Sequence, residues 1–203
     1  RKAGYHQRLR LHAFTELEIL DFRQQEIEQF IENWFLYHPR EERRGYAPYL
    51  KQEIKSNPRI QTLAANPLLL TLITLVYEDD MALPERRSTL YKKCVETLLS
   101  RWDSSRSIRR VRGFSQEYQK QLLQEIAWQM HGQGLRYFTE DNVLPLIARF
   151  LPALGMDGSQ AHDVLLAISG DNGLLREQAD GVYGFFHLTL QEYFASQYIK
   201  DAS

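Results

Sequence analysis

Six histidines and one cysteine are the side chains of this chain whose chemistry operates near neutral pH, and their spacing decides what that chemistry can be. His6, His12, His38, His131, His162 and His187 form no His-x-x-x-His pair, and Cys94 has no Cys-x-x-Cys partner. A metal centre needs several such ligands converging, so no metal is expected. Cys94 falls on an apolar helical stripe with no neighbouring feature to lower its pKa, and it reads as core rather than nucleophile. A single cysteine also excludes a disulfide framework. None of the 11 glycines stands in a Gly-x-x-x-x-Gly-Lys-(Ser/Thr) arrangement, so the loop that cradles phosphates and supplies a magnesium-binding hydroxyl is missing. No acidic strand replaces it: Glu16 and Glu18 alternate on a modest strand, and Asp79-Asp80 end a helix. The chain alone is not expected to hydrolyse a nucleotide.

The balance of charges, −1 over 203 residues, excludes the strongly basic classes. A hydrophobic content of 43% supplies a sizeable core and excludes disorder. The longest apolar stretch, 67–77, carries two Thr and stops at Glu78. That is well short of the roughly 20 residues a membrane span needs, so a soluble, cytoplasmic chain is expected. Arg1-Lys2-Ala3 opens the chain without an initiator Met or a following signal-peptide core, and the simplest reading is an excised fragment.

The elements that must position any site follow from periodicity. Phe14, Leu17, Ile19 and Leu20 suggest one short strand ending at Asp21. Ile27, Phe30, Ile31, Trp34 and Phe35 then recur at offsets 0, 3, 4, 7 and 8, the signature of an amphipathic helix. A polar loop over 38–45 leads to a helical segment with Tyr49, Leu50 and Ile54. Asn57-Pro58 and Asn66-Pro67 each join an N-cap to a proline at the first helical position, so two further helices begin there. The second, with Leu68, Leu69, Leu70, Leu72, Ile73, Leu75 and Val76, is apolar nearly all round and must be buried. After Leu83-Pro84, the stripe Leu90, Tyr91, Cys94, Val95, Leu98, Leu99, Trp102 predicts a long helix.

Residues 103–113, with Arg106, Arg109, Arg110 and Arg112 among serines, make the best internal boundary. Ser115 can cap a helix carrying Tyr118, Leu122, Ile126 and Met130 inward, which stops at Gly132-Gln133-Gly134. Thr139 can cap another, with Val143, Leu146, Ile147 and Phe150 inward, and a third follows Gly158. Short β-prone runs at 174–176 and 182–186 flank Asp180-Gly181, a strong hairpin signal. A last helix starts near Leu188. Three helices, a hairpin and a closing helix read as a winged helix.

Several strings coincide with one family. Asn66-Pro67-Leu68-Leu69-Leu70-Thr71-Leu72-Ile73, Leu83-Pro84 and the helix from Leu90 to Trp102 resemble the helical segment that follows the nucleotide-binding core of NACHT-type NTPases of the STAND class. Gly184-Phe185-Phe186-His187-Leu188-Thr189-Leu190-Gln191-Glu192-Tyr193-Phe194-Ala195 resembles the string that ends their winged-helix domain. Arg1-Lys2-Ala3-Gly4-Tyr5 resembles the tail of their sensor strand, with Lys2 in place of its Pro.

The resemblance implies a mostly α chain: residues 1–22 a loop and strand left from the missing α/β core, 23–103 a helical domain, and 104–203 a winged-helix domain with a small β-hairpin. It implies that Pro67 packs near the base of a bound nucleotide, that His187 reaches a phosphate of the diphosphate, and that Arg1 senses the third phosphate. ADP or ATP, or the guanine equivalents, with Mg would be held through the missing core. Exchange would release the winged helix and permit self-association, as in a bacterial defence or innate-immunity-like signalling switch. The alternative is a nucleotide-independent winged helix that binds protein or DNA. Against DNA, residues 157–169, the expected recognition helix, contain no Lys or Arg, so a nucleic-acid partner is not expected.

Overall fold

The computed structural model describes residues 20–105, 114–171 and 174–202. The chain divides into two compact units, one ending at Thr97 and the other beginning at Leu98. The strand expected over 14–21 lies almost wholly outside the described residues, as do Arg1 and the four arginines between 106 and 112; Leu20 and Asp21 themselves are irregular and exposed.

The first unit is helical throughout its described length. Helix α1 (Gln24–Leu36) buries Ile27, Ile31 and Phe35, and after a 3-10 turn at Glu41–Arg43 comes α2 (Ala47–Ser56), burying Leu50 and Ile54. Two Asn-Pro steps then start α3 (Pro58–Ala64) and α4 (Pro67–Asp80). Asn57 Oδ1 accepts from the backbone N–H groups of Arg59 and Ile60 at 3.2 and 3.3 Å, and Asn66 Oδ1 from those of Leu68 and Leu69 at 3.0 and 3.1 Å. Each proline thus sits where its missing N–H costs nothing, and each asparagine satisfies two donors that the helix leaves orphaned. Leu69, Leu70, Leu72, Ile73, Val76 and Tyr77 are all buried, as the all-round apolar pattern of α4 demands. The following loop is pinned to the preceding helices, with Leu83 N–H donating to Glu53 Oε2 at 2.7 Å and Asn57 Nδ2 to the Glu85 carbonyl at 3.3 Å. Helix α5 (Arg87–Ser105) buries Leu90, Cys94, Val95, Leu98 and Leu99 and contains the junction between the units.

The second unit contains α6 (Gln116–Gly132), β1 (Tyr137–Thr139), α7 (Glu140–Phe150), α8 (Ala161–Asp171), β2 (Leu175–Ala179), β3 (Val182–Phe185) and α9 (Leu188–Asp201). Ser115 Oγ caps α6 by accepting from Tyr118 N–H at 3.3 Å, and α7 starts where Asn142 Oδ1 accepts from Thr139 N–H at 2.9 Å. The first and last helices pack together, with Trp128 stacked on Tyr198 at 5.7 Å and Gln124 Nε2 donating to Asp201 Oδ2 at 3.0 Å. Leu122, Ile126 and Met130 of α6 and Leu190 and Phe194 of α9 are buried beneath these contacts. Mostly helical, with one small antiparallel sheet after its first helices, the chain has the expected fold class.

The sheet is larger than the hairpin the sequence suggests. Its strand order is β1-β3-β2, all antiparallel, because Tyr137, Phe138 and Thr139 pair with Gly184, Tyr183 and Val182. The β2–β3 turn places Gly181 at φ 63°, and Glu177 Oε1 accepts from its N–H at 2.9 Å. Gly184 faces the other constraint. A Cβ there would lie 2.9 Å from Tyr137 Cδ1 and 3.2 Å from the Arg136 carbonyl oxygen, so the aromatic ring occupies the space a side chain would need. Gly184→Ala is expected to destabilise the chain by about 1–3 kcal/mol through overpacking, read as a lowered urea midpoint. An unchanged midpoint would show that β1 does not pair with β3 in this register.

Candidate functional site

His187 is the residue before α9, in extended backbone at φ −144° and ψ 145°. Its ring turns back over the helix start: Nδ1 accepts from Thr189 N–H at 3.3 Å and lies 2.8 Å from Thr189 Oγ1. The imidazole therefore serves as the helix N-cap, a position more often held by Ser, Asp or Asn. An N–H donor aimed at Nδ1 requires a lone pair there, which places the ring proton on Nε2.

Beside it, Phe186 N–H donates to the Leu174 carbonyl at 2.9 Å, extending the hairpin by one pair, and the Arg176 guanidinium lies over the Phe186 ring at 4.2 Å. A cation over an aromatic face is held electrostatically while keeping its charge available to other partners. Arg176 was not singled out from the sequence, because the pairing that brings it to Phe186 runs across the hairpin. Gln191, one turn into α9, is 1% exposed and donates from Nε2 to the Leu135 carbonyl at 2.8 Å. Its Oε1 is buried without a partner among the described residues. Gln191 therefore ties α9 to the turn before β1, whereas Glu192 is exposed.

Pro67 stands at the first position of α4 and is partly exposed. It belongs to the unit ending at Thr97 and His187 to the unit beginning at Leu98. Arg1 lies outside the described residues.

The first unit also holds a buried charge that sequence reasoning missed. Glu78 of α4 is 4% exposed, and three elements converge on its carboxylate. Trp34 Nε1 of α1 donates to Oε1 at 2.6 Å, His38 Nε2 approaches Oε1 at 2.9 Å, and Arg43 Nη1 lies 3.6 Å from Oε2. His38 Nδ1 lies 3.0 Å from the Arg40 backbone nitrogen and 3.2 Å from its carbonyl oxygen, which holds the ring beside the carboxylate. A carboxylate taken out of water survives only with such donors. The spacing of Trp34, His38, Arg43 and Glu78 over 45 positions carries no local motif that could have announced the cluster.

Cys94 is buried on α5, and burial pushes its thiol up to about 12. Among the described residues no group of His, Cys, Asp or Glu side chains could hold a metal ion, and no helix is long and apolar enough to cross a membrane.

Three helices, a small sheet with a hairpin wing and a closing helix define a winged-helix domain. Residues 87–199, more than half the chain, match the family described as the winged helix-turn-helix domain C-terminal to NACHT, and the chain belongs to that family. It is thus a regulatory part of a NACHT protein, associated with a NACHT domain that precedes it. A search of curated proteins finds no match to the chain.

Two outcomes follow from this geometry. Glu78→Ala leaves Arg43 and His38 facing a cavity, and the chain should lose about 3–5 kcal/mol in urea unfolding, the cost of breaking a buried pair, against under about 1 kcal/mol for an exposed one. A loss in the lower range would mean that the cluster is solvated. Cys94 should resist alkylation at pH 8 in the folded chain and react once urea exposes it, because the nucleophilic thiolate forms only as pH approaches the raised pKa. Rapid alkylation under native conditions would contradict its burial.

Proposed function

We propose that this chain is the regulatory lid of a nucleotide-switched signalling NTPase. In the resting state it closes over ADP, or a guanine equivalent, held with Mg by the NACHT core. His187 donates from Nε2 to a phosphate oxygen and Pro67 bounds the base. Exchange for the triphosphate favours a second packing in which the winged helix is released and the parent protein self-associates. Nucleotide can bias these two packings only through contacts that differ between them, and His187 supplies one. Hydrolysis belongs to the core, and this chain alone performs none. The role of Arg1 as sensor of the third phosphate belongs to the same proposal.

The observation that carries the reading is the capped ring of His187. A phosphate oxygen only accepts hydrogen bonds, and Nδ1 is already committed to the backbone, so the ring is in the tautomer that a phosphate requires. Arg176, held over Phe186, adds positive charge at the residue next to His187. The membership of residues 87–199 in a domain family that follows NACHT supports the core as the partner. A winged helix that reads DNA is less well supported, since α8, which occupies the recognition position, carries no Lys or Arg.

The test must separate the cap from the contact. His187→Asn keeps a strong N-cap while withdrawing the imidazole Nε2–H, and His187→Ala removes both. In the parent protein, both substitutions should weaken ADP retention by roughly 5- to 150-fold, corresponding to the 1–3 kcal/mol of a charge-assisted hydrogen bond, and raise basal self-association. Retention that His187→Asn leaves intact would reduce His187 to a structural cap and favour a nucleotide-independent interaction domain.

A further inference from the structure

We propose that Arg136 and Arg176 are charge-bearing ligands of the nucleotide's phosphate tail, presented together on one face of the three-stranded sheet. This rests on the reading of the chain as a lid over a bound diphosphate, and on neither nitrogen of His187. The register puts Tyr137, Gly184 and Arg176 in one row across the sheet, so their side-chain positions share a face, and Phe186, two residues beyond Gly184, continues it. Each arginine is lodged on an aromatic ring of that face. The Arg176 guanidinium lies 4.2 Å from the centroid of the Phe186 ring, and that of Arg136 5.4 Å from the centroid of Tyr137. Gly184 brings the two pairs together: the Tyr137 ring stands where a Cβ of residue 184 would be, so the ring and the guanidinium over it lean toward β3. That central strand alone separates β1 from β2, and the two spacings amount to about 10 Å.

The two faces of the sheet carry opposite charge. On the other face Tyr183, buried with Phe138, Phe185 and Leu175, has Glu177 as its register partner and donates to Glu140 Oε1 at 3.2 Å. Arg136 is exposed and Arg176 half-exposed, and among the described residues neither is ion-paired. A ring holds a guanidinium by its flat side and leaves the N–H edges for other partners. Those edges match oxyanions bidentately, and the charge persists across the physiological pH range.

The number of cations selects the anion. Two arginines neutralise about two phosphates, a salt slope of about −1.8, against the roughly 6–10 contacts of a protein that holds duplex DNA strongly. A diphosphate tail concentrates its charge on two neighbouring groups, within the capacity of two guanidiniums. The location agrees. Arg136 precedes Tyr137 and is level with Phe185 in the register, and Phe186 leads into His187, so both cations lie at the end of the sheet from which α9 starts.

The test is dissociation of fluorescent ADP from the parent protein, read for variants that grade the charge. Arg176→Gln should speed release about 5- to 10-fold, Arg176→Glu further, and Arg176→Lys, which keeps the charge without the fork, less than Arg176→Gln. The Arg136 series should follow the same order. Packing on a ring does not rank variants by charge, so equal rates for the Lys, Gln and Glu variants, or rates equal to wild type, overturn the proposal. Release accelerated by His187→Asn but by no arginine variant removes the arginines alone. Release moved by none of them removes the lid reading, and this proposal with it. A single-stranded DNA oligonucleotide held by the chain at physiological salt and lost in the Arg136→Gln/Arg176→Gln double variant, with ADP release unchanged, overturns the proposal in favour of a nucleic-acid face.

Discussion

An imidazole has two nitrogens, and at His187 the fold commits one of them to its own backbone. That commitment starts α9, since Nδ1 satisfies the Thr189 N–H, a donor that the first turn of a helix cannot satisfy internally. It also fixes what the second nitrogen can offer. In the proposed function, structure and function are coupled through this one ring: the geometry that begins the last helix of the winged-helix domain leaves the second nitrogen to serve as the phosphate donor. Gln191 holds that helix from the next turn through the Leu135 carbonyl, and Trp128 against Tyr198 packs its far end to α6. The hairpin delivers Phe186 and Arg176 to the residue preceding the ring.

The first unit is organised around a different constraint, a carboxylate that must not be left alone. Helix α4 has Pro67 at its first position and Glu78 in its last turn. Its apolar surface is buried nearly all round, and at Glu78 a tryptophan, a histidine and an arginine from α1 and the segment after it converge on the charge. Hydrophobic burial alone would tolerate small slides of α4 against its neighbours, whereas hydrogen bonds to a buried carboxylate do not. The helix that offers Pro67 is in this way fixed in both register and rotation within its unit.

How much of this was legible beforehand depended on the range of each interaction. Helical periods, the two Asn-Pro starts and the Asp180-Gly181 turn are local, and residues within a few positions of one another announced them. Strand β1 was missed because three residues, Tyr137, Phe138 and Thr139, have no period to detect and become a strand only by pairing with residues 182–184. The Glu78 cluster was missed for the same reason, since Trp34 lies 44 positions away and only tertiary packing unites them. His187 was singled out by its surrounding string, yet its capping role was not foreseen, because histidine is an uncommon N-cap. Gly184, one residue of the same string, has a physical reason that the string did not reveal: the Tyr137 ring fills its Cβ position.

The central claim is a contact between one ring nitrogen and one phosphate. The most direct measurement is a structure of the parent protein with diphosphate bound in its NACHT core. The account expects His187 Nε2 within about 2.7–3.2 Å of a phosphate oxygen while Nδ1 still faces Thr189. A diphosphate bound with no approach from His187, or a ring turned so that Nδ1 leaves the start of α9, would contradict it.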